Sequence, residues 1–193
     1  MSSNHLNIMF ELKSNTGSIS YLYYFDMLSY GTVKVSTIEE LEKKLEKIGP
    51  DFLDLSTTKE IFIERIKKKS NLNKMIGNVL MNQKVISGVG NYLRADSLWM
   101  AKISPHRHVK NLTDDELITI YKSIRSLVWS DYDYKKAVKL KFIKKNFKIS
   151  QKYGRDFFVY YYDTDIYGNK VKKEELYEGS QKRFIYWVPL LQK

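Results

Sequence analysis

The sequence predicts an α+β chain, with helices in the middle and short strands towards both ends. Three observations carry this. Leu6, Ile8 and Phe10 alternate with polar neighbours, and Tyr21 to Phe25 is a short aromatic run, both with the period of a strand. Between about residues 38 and 142 the apolar residues recur at helical spacing instead. From residue 151 the composition turns aromatic and strand-like again. The chain of 193 residues is long enough for one ordinary domain or two small ones. Its pattern divides into residues 1–54, 55–150 and 151–193.

Taken in order, the first segment gives three strands, with Asn15-Thr16-Gly17 as a turn and Thr32 to Val35 as the third strand. Three strands leave raw edges, so the segment reads as part of a larger β-domain. Ser36-x-x-Glu39 is a capping box for a helix with Ile38, Leu41, Leu45 and Ile48 on one face, stopped by Gly49-Pro50. Thr57-x-x-Glu60 caps a helix running to Lys69. Residues 72–82 carry a stripe of Leu72, Met75, Ile76, Val79 and Leu80. A helix over 91–101 follows, and Thr113-x-x-Glu116 caps the next, with Leu117, Ile120, Tyr121, Ile124 and Val128 inward. A lysine-rich helix spans about 133–147. Phe157 to Tyr162 and Arg183 to Val188 read as strands, with a turn at Tyr167-Gly168-Asn169.

Charge points to the partner. Lys plus Arg number 33 against 22 Asp plus Glu, a net +11, which suits a polyanion, nucleic acid ahead of a membrane surface. General lysine enrichment from an AT-rich genome is the bland alternative. There is no cysteine, which excludes disulfides and every Cys-ligated zinc site. Three histidines (His5, His106, His108) are too few and too poorly spaced for a metal cage. No metal and no cofactor are therefore expected. No apolar run approaches the ~20 residues of a membrane span, and Met1-Ser2-Ser3-Asn4 is no signal peptide, so a soluble intracellular protein is expected.

The densest local signal is Gln83 to Asp96. Gly88 and Gly90 flank one residue, Asn91 follows, and a helical pattern follows Asn91. Glycines permit positive φ and close backbone approach, and Asn91 is a good N-cap. Free N–H groups at a helix start suit a phosphate. A bare Gly-x-Gly-Asn is more often only a helix–turn–helix connection, and the spacing is not that of a dinucleotide-binding fingerprint.

The longer stretch, Leu80-Met81-Asn82-Gln83, Gly88-Val89-Gly90-Asn91-Tyr92-Leu93-Arg94-Ala95-Asp96 and Ile103-Ser104-Pro105, resembles the helix–two-turns–helix signature of the formamidopyrimidine-DNA glycosylase/endonuclease VIII family. The form Asn-Tyr-Leu-Arg-Ala-acid is most similar to its zinc-free endonuclease VIII-like branch. Ile48-Gly49-Pro50-Asp51-Phe52-Leu53 resembles the segment that closes the family's N-terminal domain. The resemblance implies a partial N-terminal β-sandwich over 1–54, the helix–two-turns–helix domain over 55–150 and a zincless β-hairpin finger over 151–193.

It also implies DNA base-excision repair, with double-stranded DNA, damaged or abasic, as the partner of a monomer. Asn91 and the N–H groups around Gly88 and Gly90 would meet a phosphate, Lys74 another, and Arg183 would reach across from the finger. Family members carry Asp-Pro-Arg-Arg-Phe-Gly where this chain has Asp26-Met27-Leu28-Ser29-Tyr30-Gly31; Tyr30 can stack as a wedge, and the arginine is lost at Ser29. Asp96 stands in place of a glutamate. The family nucleophile is an N-terminal proline amine beside a glutamate. This sequence starts Met1-Ser2-Ser3, so no catalytic residue is assigned and an N-terminal truncation of the family pattern is expected. Three readings follow: a glycosylase/AP lyase homologue lacking its catalytic start, a non-catalytic binder of damaged DNA, or an RNA- or ribosome-binding protein. The C-terminal hairpin and the β-segment weigh against the third.

Overall fold

A computed structural model describes residues 6–27, 31–145, 154, 156–178 and 181–193. The architecture is mixed α+β, with two separate two-stranded antiparallel sheets and six α-helices among the described residues. The chain divides into two compact units, residues 1–42 and 43–193.

In the first unit, β1 (Leu6–Lys13) pairs with β2 (Ile19–Phe25), Phe10 opposite Leu22 and Met9 opposite Tyr23. The expected turn is there, with Gly17 at φ +85°. Thr32 to Val35 forms no strand, contrary to the sequence reading. Both faces of the hairpin are open: Met9, Leu12, Ile19, Leu22 and Phe25 are all exposed. Helix α1 (Ile38–Leu45) spans the division of the units. Its first turn is capped by Thr37, whose hydroxyl accepts from Glu40 N, and not by Ser36. Its apolar stripe of Ile38, Leu41 and Leu45 is exposed rather than buried.

The second unit holds the core. Helix α2 (Lys59–Ile66) is capped by Thr58, one residue later than the sequence reading placed it. Thr57 is diverted, its hydroxyl donating to the Asp51 carbonyl at 2.7 Å. The helix expected over 72–82 shrinks to α3 (Ile76–Val79), because Ile76 N and Gly77 N bond to the carbonyls of Arg107 and Pro105 instead of to their own chain. Its apolar residues are buried as the pattern required. Helix α4 (Asn91–Ala101) matches its predicted span, and α5 (Asp114–Tyr132) starts where predicted, with the full Thr113/Glu116 capping box. Helix α6 is only Tyr134–Lys139, since Lys141 takes φ +60° and Phe142 N turns back to the Ala137 carbonyl.

One cluster binds α2 to α5, with Phe62, Ile66, Ile76, Leu80, Leu117 and Ile120 fully buried in it, and a smaller one around Trp129 holds α6. Arg125 on α5 is buried too. Its guanidinium donates to the carbonyls of Phe52, Asp54 and Thr57 and lies 5.3 Å from the Tyr121 ring, so it clamps the 52–57 segment onto the helix.

The C-terminal part packs into the same core. β3 (Lys172–Glu178) and β4 (Gln181–Trp187) form the expected hairpin, Leu176 opposite Arg183. Gly77 lets it close in, since a Cβ there would stand 3.0 Å from both a Leu176 methyl and the Pro105 carbonyl. The tail is locked as well: Gln192 is buried, donating to the Ile103 carbonyl at 2.9 Å and accepting from Val188 N at 2.7 Å.

Candidate nucleic-acid interface

The turn before α4 is built by one side chain. Gln83 accepts from Gly88 N at 2.9 Å and donates to the Val89 carbonyl at 3.0 Å, bridging the loop like a rung. Asn82 prepares it, taking Lys84 N on its side chain and Val85 N on its carbonyl. Gly88 sits at φ +81°, where a side chain would be strained, and a Cβ would lie 3.2 Å from an Asp51 carboxylate oxygen. Gly90 differs from expectation. Its φ is −94° and ψ −176°, extended backbone open to any residue, and a Cβ would meet nothing within 4 Å. What glycine provides at 90 is bare backbone facing open space.

Asn91 is not the N-cap. Gly90 is, without a side-chain cap, and Asn91 is the first helical residue. Among the described residues the N–H groups of Gly90, Asn91, Tyr92 and Leu93 have no acceptor, as the first turn of a helix requires. The Asn91 side chain is turned towards β4, donating to the Phe184 carbonyl at 3.0 Å. The cause is Arg94, one turn on and buried. Its guanidinium donates to Asn91 Oδ1, to the same Phe184 carbonyl at 2.9 Å, and to the Gly77 carbonyl at 3.3 Å. One cation therefore ties α3, α4 and β4 together and fixes the asparagine amide. Arg183 immediately precedes Phe184 on β4 and is exposed.

Asp96 is the second buried anchor. Its carboxylate accepts from Phe158 N at 2.8 Å, Val159 N at 3.0 Å and Tyr160 N at 3.2 Å. This is why 157–162 is not a strand: its donors are taken by a helix side chain and not by a ladder. A third carboxylate orders the next turn. Asp165 accepts from Tyr167 N, Asn169 N and the Trp99 indole. Burial works against its charge, but the Asn169, Tyr167 and Trp99 hydrogen bonds outweigh that and hold its pKa below the ordinary value.

Beside the turn lies a cavity of about 360 Å³ lined by Asp51, Phe52, Gly88, Tyr92, Asp131 and Tyr132 among others. Tyr92 donates to Asp131 Oδ2 at 3.1 Å, which joins the start of α4 to the end of α5. Asp131 stands exposed at the rim, yet the desolvation of its cavity side pushes its pKa up, with the Tyr92 hydrogen bond pulling the other way. Burial raises the Tyr92 hydroxyl strongly, and the Asp131 charge adds to it.

Of the residues singled out in the sequence, Gly88, Gly90, Asn91 and the strand bearing Arg183 come together. Lys74 is exposed on the segment before α3, its carbonyl accepting from Val109 N, and no described contact joins it to the turn. Tyr30 lies outside the described residues. No group of three or more His, Cys, Asp or Glu side chains among the described residues is placed to hold a metal ion. Sequence reasoning gave no role to Gln83, Arg94 or Phe184. Arg94 had a signal, standing three residues after Asn91 on the same helical face.

Residues 48–141 match the formamidopyrimidine-DNA glycosylase H2TH domain and residues 145–193 the formamidopyrimidine-DNA glycosylase C-terminal domain. The chain is 29% identical over 114 residues to endonuclease 8 of Pectobacterium atrosepticum, covering 58% of this chain and 43% of that protein. It is 30% identical over 128 residues to formamidopyrimidine-DNA glycosylase of Listeria monocytogenes, covering 65% of this chain and 44% of the relative. It thus spans less than half the length of these relatives. The fold is that of the Lactococcus lactis Fpg solved in complex with DNA containing an abasic site, at a TM-score of 0.66 and 22% identity, covering 92% of this chain and 65% of that one. A viral DNA glycosylase aligns with a TM-score of 0.59 at 20% identity, over 98% of this chain and 59% of its own.

Proposed function

The chain belongs to the formamidopyrimidine-DNA glycosylase/endonuclease VIII family, and on that premise we propose that its helical and finger parts clamp double-stranded DNA at a damaged or abasic site. It acts as the DNA-holding part of a base-excision repair glycosylase/AP lyase of endonuclease VIII type. The observation that carries the reading is the Phe184 carbonyl shared by Asn91 and Arg94. It fixes an asparagine amide, four acceptor-free N–H groups and a finger strand carrying Arg183 around one helix start. Such an arrangement favours an anion at the positive pole of α4. Contacts of this kind position a duplex without reading its sequence. A base removed by a glycosylase must leave the stack, and a clamped, bent duplex makes that possible.

The chemistry of the family uses an N-terminal proline amine as nucleophile, forming an imine with C1′ of the sugar. The prolines of the 193 residues are Pro50, Pro105 and Pro189, and none supplies such an amine. The second reading is a non-catalytic binder of damaged DNA. Borohydride trapping separates the two. The 193-residue chain should form no trapped complex with abasic DNA, while a version extended by a Pro-Glu-beginning β-segment should. Efficient trapping by the 193-residue chain, abolished by blocking its α-amine, would overturn this assignment of roles.

The clamp itself is tested by fluorescence anisotropy on an abasic duplex. Asn91→Ala should weaken binding when compared with the parent chain at matched folded fraction, since it removes the amide held at the helix start. Binding equal to that of the parent chain would remove the glycine turn from the interface. Neither zinc nor a chelator should change the affinity.

A further inference from the structure

The chain's excess positive charge is concentrated in one place. Residues 134–155 hold nine Lys and Arg and no acidic residue; removing those nine from 33 leaves 24 basic residues against 22 acidic ones. The described part of this run, 134–145, contains Lys135, Lys136, Lys139, Lys141, Lys144 and Lys145.

The run is held on a folded scaffold. Ala137 and Ile143 are buried against Trp129, and Phe142 packs on the same ring at 5.8 Å. Ser126 donates to the Phe142 carbonyl at 2.7 Å, which folds the segment after α6 back on α5. Ala137 and Ile143 are buried and all six lysines are exposed. Lys136 lies over the Trp129 ring at 4.9 Å. Among the described residues none of the six makes an ion pair, whereas Lys67, Arg107 and Lys172 are each matched by a carboxylate. Its first lysine, Lys135, stands four residues after Asp131, and Asp131 is bonded to Tyr92 in the first turn of α4. The run therefore follows directly on the end of α5 that is bonded to the first turn of α4.

We propose that Lys135, Lys139, Lys141, Lys144 and Lys145 form a second phosphate-contact strip for the backbone of duplex DNA, continuing from the glycine turn. The proposal rests on the clamp reading above. It adds a contact that is indifferent to the lesion: unpaired ammonium groups on flexible stems meet phosphates as point charges and release counterions. The strip holds intact DNA as firmly as damaged DNA, and so serves arrival and retention on the duplex, while the turn holds the site of damage.

The test measures affinity against salt concentration on an intact and an abasic duplex of equal length. The strip variant carries Lys135→Gln, Lys139→Gln, Lys144→Gln and Lys145→Gln. A control of equal charge change carries Lys59→Gln, Lys68→Gln, Lys110→Gln and Lys122→Gln, all exposed elsewhere on the second unit. Each lost phosphate contact removes a slope of about 0.9 in log K against log salt, so the strip variant should lose about 2–4 from the slope, equally on both duplexes. The control should change it by less than about 1. Asn91→Ala should instead weaken the abasic duplex most. Equal losses in strip and control variants would overturn the strip, because bulk charge would then suffice. An unchanged slope in the strip variant, with Asn91→Ala still weakened, would overturn the strip and leave the clamp standing. Failure of the parent chain to bind either duplex, or tighter binding to single-stranded RNA than to both, would overturn the two together.

Discussion

The hairpin of the first unit and the helical unit that follows it are equally apolar to the eye, and their apolar residues meet opposite fates. Leu12, Ile19 and Leu22 are 52%, 52% and 57% exposed, whereas Ile66, Ile76 and Ile120 are at 0%. Periodicity fixes which backbone conformation suits a segment. It does not supply the second layer that burial requires, and two strands alone cannot make one. The second unit has its layers, and it has something the hairpin lacks. Buried ionic groups reach across it to gather backbone: Arg125 takes three carbonyls, Arg94 takes two, and Asp96 takes three N–H groups. Segments with no regular structure are thereby tied into the core.

The largest effect should come from cutting one of those anchors. Asp96→Ala leaves the N–H groups of Phe158, Val159 and Tyr160 without their acceptor inside the core. At about 1–3 kcal/mol for each buried donor left unsatisfied, the loss should be about 3 kcal/mol or more. Urea denaturation followed by tryptophan fluorescence measures it. A loss below about 1 kcal/mol would mean that water reaches residues 158–160, and that the anchors do not distinguish the two units.

Next in size is an ordinary core truncation. Ile66→Ala removes a fully buried side chain and should cost roughly 2–5 kcal/mol, the spread depending on how far Phe62 and its neighbours collapse into the void. A cost near zero would show this end of the core to be loosely packed.

These two sites also mark what could be read from the sequence. Ile66 lies in a helix that Thr57-x-x-Glu60 announced to within one residue, and α5 announced its start through Thr113 and Glu116. The glycine turn and the family it belongs to were legible from Leu80 to Pro105, because the signature is local. The anchors were not. Asp96 meets Phe158 across 62 residues, so 157–162 was read as a strand from its aromatic side chains when its N–H groups were already committed elsewhere. Asn91 was read as a cap from its residue type, but Arg94 and the Phe184 carbonyl, 93 residues away, draw its side chain off the helix axis. The short α3 has the same origin, in bonds to the carbonyls of Pro105 and Arg107.

A smaller effect, of opposite sign, is expected at Asp131. Its folded pKa lies above the ordinary carboxylate value because burial against the cavity disfavours the charge. The stability it contributes is therefore present below the unfolded value of 3.8 and is lost as pH rises through the raised folded value. A carboxylate in the last turn of α5 also faces the negative pole of that helix. Asp131→Asn removes both penalties and keeps an acceptor for the Tyr92 hydroxyl. It should raise the melting temperature at pH 7, with the gain shrinking as pH falls towards 4. A gain that stays constant with pH would assign the effect to packing and not to charge.

The smallest effect should come from the hairpin. Leu22 faces Phe10 across the strands and keeps more than half of its surface in solvent, so Leu22→Ser gives up little burial that folding had gained. All three tryptophans, Trp99, Trp129 and Trp187, lie in the second unit, and their fluorescence therefore reports the unfolding of that unit. The midpoint it gives should move by less than about 0.5 kcal/mol, as for surface substitutions generally. Far-ultraviolet circular dichroism, which sees the strands as well, should show any additional loss as a separate, earlier change. If the tryptophan transition itself falls by more than about 1 kcal/mol, Leu22 is buried in solution, and the contrast between an open hairpin and a closed core no longer holds.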